Sequence, residues 1–145
     1  MATTYVVDAS VLGHYFGTDT YTQEAKILVS KMSQGEQLYI PEFCLIECVN
    51  ILWKNVRFQG MPQTEAERFI DELLALPFQI VLVKDLLLQA LQIGLNRQLA
   101  VYDSLYIALA LNLDYPLITV DDRQADAAAQ NGVTLKQITD FSPAG

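Results

Sequence analysis

Apolar positions along this chain fall into two alternating rhythms. Short runs rich in β-branched and apolar residues, TYVVD at 4–8, QLYIP at 37–41, FQIVLV at 78–83 and PLITV at 116–120, read as strands. Between them the spacing turns helical: over 11–16, from Thr20 to about Gln34 before Gly35, and from Glu42 to about Phe58 before Gln59–Gly60. Further helices are expected from near Pro62 to Pro77, over 84–96, over 102–112, and from Asp122 to Asn131–Gly132. Residues 133–135 are expected to add a last edge strand. Such alternation predicts an α/β fold, with a mostly parallel sheet of four to five strands and helices on both faces. The 145 residues contain no repeat, linker or low-complexity tract, so residues 1–145 are expected to form one domain with a full core.

In sheets of this kind ligands sit outside the carboxyl ends of the strands, and acids stand there. Asp8 closes the first strand, and Asp121–Asp122 closes PLITV. Each has a plain alternative as a helix N-cap, a position where Asp is strongly favoured. Glu47 lies inside PEFCLIECVNILW with Phe43, Cys44, Asn50 and Ile51 as its helix neighbours. A carboxylate in that company needs a partner, either a cation such as Lys54 or Arg57 on the same helix or a metal. Asn50 shares its face. Asp103 opens VYDSLYIALALNL, which is apolar on nearly every side and therefore buried. Its alternative is the favourable place of an acid at a helix N-terminus.

Four carboxylates in one crevice would repel each other unless a cation stood between them. Hard ions such as Mg²⁺ or Mn²⁺ take oxygen ligands and keep several waters. Ser10 and Thr119 stand two residues from Asp8 and Asp121, where their hydroxyls are expected to help hold such waters.

Composition narrows the function. Hydrophobic residues are 52% and charged residues 18%, which excludes a disordered tail. A net charge of −8 is the wrong sign for gripping nucleic acid mainly by its phosphates, and the right sign for a cation pocket or a basic partner. Lys54, Arg57, Arg97 and Arg123 are the bases nearest the acidic segments. No apolar run reaches membrane-spanning length and MATT does not resemble a signal peptide, so no membrane association and a cytoplasmic location are expected. Cys44 and Cys48, four apart on an apolar helix, are expected to be buried thiols rather than a zinc site.

The segments VVDASVL, LIECVNIL, YDSLYIALA and LITVDD, in that order and spread over essentially the whole chain, resemble the PIN-domain ribonucleases, and among them the VapC-like toxins of toxin–antitoxin pairs. The resemblance implies a three-layer α/β/α sandwich. It implies Asp8, Glu47, Asp103 and Asp121 as metal-binding and catalytic acids, with Ser10, Asn50 and Thr119 in support. It also implies Mg²⁺- or Mn²⁺-dependent cleavage of an RNA substrate and inhibition by a cognate antitoxin protein. Thr119-x-Asp121 fits the pattern better than Asp122, which then reads as the cap of the next helix.

Other chemistries lack their residues: GxSxG, the P-loop and GxGxxG are all missing, and the single histidine, His14, lies in a short apolar helix. The rival reading is a PIN-like assembly module whose acids only cap helices. Trp53, Phe58, Phe69 and Leu73 make two helices more apolar than one sheet face can cover, which suits either a core or a groove for an antitoxin segment. The protein is expected to be a homodimer.

Overall fold

A computed structural model describes residues 3–143. Four parallel strands, β1 (Thr4–Val7), β2 (Gln37–Pro41), β3 (Gln79–Val81) and β4 (Leu117–Ile118), form one sheet in the order β3-β2-β1-β4. Val6 pairs with both Tyr39 and Leu117, which makes β1 a central strand. Strands buried on both faces should be continuously apolar. Val6, Val7, Leu38, Ile40, Leu117 and Ile118 are fully buried.

Seven helices flank the sheet in an α/β/α sandwich: α1 (Ala9–Tyr15), α2 (Thr22–Ser30), α3 (Phe43–Phe58), α4 (Gln63–Ala75), α5 (Leu87–Arg97), α6 (Val101–Leu113) and α7 (Asp122–Gln130). The expected helix over 20–34 tightens into a 3₁₀ turn at Lys31–Gln34, and Gly35 ends it at φ 99°, a conformation other residues avoid. Another 3₁₀ turn, Lys84–Leu86, precedes α5. A third, Ile138–Phe141, lies beyond the elements expected from the sequence; it seats Phe141 edge-on against Tyr5. The expected strand over 133–135 reduces to one bridge, Leu117 to Leu135.

Helix α6 packs against β1, β2 and β4, and Ser104 to Ala110 are buried on all sides, as an all-apolar helix should be. What fixes its N-terminal end is a close approach of α5. A Cβ on Gly94 would lie 2.8 Å from the Leu99 carbonyl oxygen and 3.2 Å from Ser104 Oγ. The missing side chain lets the α5–α6 turn fold back tightly, and that turn sets where Asp103 emerges.

The sheet runs from β1 outward in one direction through β2 and β3, and in the other to β4. The reversal lies between β1 and β4, so their carboxyl ends open the crevice in which α/β sheets bind ligands.

Candidate active site

Asp8 follows β1 directly and is 2% exposed. Its carboxylate caps α1, accepting from the Val11 amide at 3.3 Å. Two hydroxyls also donate to it at 2.6 Å, Ser10 to Oδ1 and Thr119 to Oδ2. The hydroxyls expected to hold waters thus hold Asp8 itself. They also bind backbone: Ser10 Oγ accepts from the Val120 amide (3.2 Å) and Thr119 Oγ1 from the Asp121 amide (3.1 Å). This explains why β4 is two residues long and not the expected five. The amides of Val120 and Asp121 are taken by side chains, and the chain turns out of the sheet.

Asp121 then caps α7, its Oδ1 accepting from the Gln124 amide at 3.1 Å. Asp122, expected as the cap, is instead the first residue of the helix and points to solvent. The residue with β/extended backbone before a helix is the one able to reach back to the free amides, and that residue is Asp121.

Glu47 takes neither of the expected cation partners. The buried Tyr106 hydroxyl donates to its Oε1 at 2.6 Å, across from α6. Neither Tyr106 nor Gln124 stands out in the sequence. Tyr106 sits within an apolar helix where any aromatic reads as core, while Gln124 is 1% exposed in an otherwise polar helix. The Gln124 side-chain Nε2 donates to the Asp103 backbone carbonyl at 3.4 Å, tying α7 to α6. Replacing Tyr106 with Phe keeps the ring against Phe43 but removes the donor. We expect a loss of about 1–2 kcal/mol, read by urea unfolding.

Asp103 is different from the other acids. It stands in the first turn of α6, but the capping position is Ala100. Its half-buried carboxylate accepts no hydrogen bond from any described residue, so helix capping does not account for it.

Asp8, Glu47, Asp103 and Asp121 line one pocket of about 240 Å³, together with Ser10, Asn50, Lys54, Tyr106 and Gln124. Electrostatics links the acids. Burial pushes the Asp8 carboxyl up to about 6, against the pull of its Ser10, Thr119 and Val11 donors, and the Asp103 charge adds to the rise. Glu47 is raised by burial and by Asp103, less the Tyr106 hydrogen bond. Asp103 is raised by burial and by Asp121, partly offset by Arg123. A larger apolar cavity, about 400 Å³, lies between α3 and α4 and contains none of these acids.

The donor set fits a hard divalent cation: it is all oxygen, and it is short of positive charge. Among the described residues no three acidic, histidine or cysteine side chains close around one point. Mg²⁺ takes one or two carboxylates directly and reaches others through its bound waters, so the acids of this pocket need not all close on one point. Cys44 and Cys48 are buried free thiols. His14 pairs with Asp19 at 2.6 Å and is not among the residues lining the pocket. Among the described residues no helix is long and apolar enough to cross a membrane.

The sequence profile of the PIN domain matches residues 5–130. Ribonuclease VapC3 of Pyrobaculum aerophilum is 28% identical over 123 residues, which cover 83% of this chain and 92% of that protein. Solved structures share the fold, three of them as follows. The Pyrobaculum aerophilum protein PAE2754 has a TM-score of 0.73 at 24% identity, over 97% of this chain and 88% of its own. VapC20 of Mycobacterium tuberculosis, described as a sarcin–ricin loop cleaving toxin, has 0.64 at 18%, over 85% and 94%. A toxin–antitoxin complex from Klebsiella pneumoniae has 0.54 at 17%, over 79% and 84%.

Proposed function

Because the chain belongs to the PIN domain family, we propose that its acidic pocket is the active site of a divalent-metal-dependent endoribonuclease, the toxin of a toxin–antitoxin pair. The single observation that carries this is Asp103: a half-buried carboxylate, set beside three others, with no hydrogen-bond donor among the described residues and no capping role. Asp8, Asp103 and Asp121, assisted by Glu47, would hold Mg²⁺ or Mn²⁺. A metal so bound lowers the pKa of a water and stabilises charge on the phosphate.

The chain's own residues set the stage. Ser10 and Thr119 fix both oxygens of Asp8, so the carboxylate presents one orientation. Tyr106 fixes Glu47, and Gln124 ties the α7 end that carries Asp121 to the α6 end that carries Asp103. Asn50, one turn from Glu47, lines the pocket with an amide available to a water or a phosphate oxygen.

The assembly-module reading has one fact in its favour, since Asp8 and Asp121 do cap helices. Incubating the protein with total cellular RNA, with Mg²⁺ or with EDTA, and mapping new RNA ends separates the two. Discrete metal-dependent ends support the nuclease; an unchanged end map supports the module.

One structural neighbour is described as a toxin and another as a toxin–antitoxin complex, and a cognate antitoxin is proposed here too. Its place would be the apolar cavity between α3 and α4, where Trp53 remains 55% exposed. We also propose a homodimer. On α5, Leu88 and Leu95 are 69% and 72% exposed, a costly display for a monomer. Light scattering at micromolar concentration should give twice the chain mass; a clean monomer contradicts the proposal.

A further inference from the structure

An acidic pocket in a chain of net charge −8 must still receive a polyanion. Four bases lie near the acidic segments in sequence, and the structure separates them. Arg57 lines the apolar α3–α4 cavity, with its guanidinium 5.6 Å from the Phe58 ring centre. Arg97 donates to the Gln130 carbonyl at 3.4 Å. Arg123 donates to the Gln98 carbonyl at 2.7 Å, which holds it at the α5–α6 turn beside Asp103. Each of these has a role within the fold.

Lys54 does not. Among the described residues it is the one base lining the acidic pocket, it is exposed, and it forms no ion pair. Residues 47, 50 and 54 lie at i, i+3 and i+7, so Glu47, Asn50 and Lys54 share one face of α3. At 1.5 Å rise per residue Lys54 stands about 10 Å along the axis from Glu47. Although both line the same pocket, Lys54 is not paired with Glu47, so its ammonium is free for a phosphate beside the one over the acids.

We propose that Lys54 is a substrate-binding residue that takes the backbone phosphate flanking the one cut, so that the strand runs along α3 past Asn50. This rests on the nuclease reading above. It gives the otherwise repulsive pocket one attractive end and hence a direction of entry.

The test measures binding of a short fluorescein-labelled RNA of randomised sequence by anisotropy, at a series of salt concentrations and fixed Ca²⁺. Wild type is compared with Lys54→Ala, Lys54→Glu, Lys54→Arg and a control, Arg68→Gln, whose arginine is paired to Glu65 and Glu72 on α4. Lys54→Ala should weaken binding about fivefold to tenfold and lower the salt slope by about 0.7, the loss of one contact to a single strand. Lys54→Glu should be weaker still, and Lys54→Arg and the control should match wild type. In cleavage, the Ala variant should raise KM with kcat little changed. Thermal stabilisation by Mn²⁺ should persist in all of them. If Lys54→Ala binds and salts out like wild type while wild type cleaves RNA, the inference about Lys54 is wrong and the nuclease reading stands. If wild type itself neither binds nor cleaves, both fall together.

Discussion

Asp103→Asn should cut RNA at least 10²–10³-fold more slowly than wild type, roughly the scale on which loss of one charge-stabilising group at a transition state is felt. Its fold should be unharmed. The carboxylate it loses accepts no hydrogen bond from a described residue, caps nothing, and is held above its ordinary value by burial and by Asp121. A neutral amide of the same shape therefore relieves repulsion rather than removing support. Initial rates with Mg²⁺ on whichever RNA the end-mapping identifies give the first number, and circular dichroism the second. A variant that folds and still cuts at the wild-type rate would remove Asp103 from the chemistry.

Asp8→Asn should show the opposite signs for activity and stability. Burial raises the Asp8 carboxyl to about 6 in the folded protein, from 3.8 when unfolded. The folded state therefore binds its proton more tightly. Below about pH 4 both states are protonated and the group costs nothing. Between about pH 4 and 6 the unfolded chain has given up the proton that the folded protein still holds. Stability falls by about 3 kcal/mol across that window and levels off above it, since a tenfold difference in proton affinity between the two states is worth about 1.4 kcal/mol. The asparagine variant escapes this cost. Its amide NH2 cannot accept the hydroxyl that one carboxylate oxygen accepted, so the linkage fixes the change with pH: relative to wild type in EDTA, the variant should gain about 3 kcal/mol between pH 4 and pH 8. Urea unfolding at the two pH values reads the difference directly. A difference that is the same at both pH values would mean that the Ser10, Thr119 and Val11 donors fully compensate the buried charge.

Sites that destabilise a protein in the absence of their ligand recur where function demands them, and this explains which parts of the site are legible in the sequence. Asp8, Asp103 and Asp121 can be found because acids at strand ends and helix starts break an apolar pattern. The sheet is equally legible, since its strands are short apolar runs between turn residues. The tuning of the acids is not. Spacing singles out Ser10 and Thr119, but that their hydroxyls hold Asp8 itself shows only once the ends of β1 and β4 are neighbours, since the two residues lie 109 apart in sequence. Tyr106 is indistinguishable from core until α3 is laid beside α6. The expected helix cap, Asp122, differs from the observed one, Asp121, for a related reason. The true cap depends on where β4 ends, and β4 ends early because side chains from the site capture its amides.

The acids are the shared premise of both predictions, and metal binding tests them without knowledge of the RNA. Thermal unfolding of wild type and Asp103→Asn should be followed from EDTA through increasing Mn²⁺. The wild-type midpoint should climb steadily, by the equivalent of about 2.7 kcal/mol at a hundredfold excess over the dissociation constant, while the variant hardly moves. A wild-type midpoint that stays flat across the titration would contradict the metal site, leaving Asp8 a helix cap and the pocket without its ion.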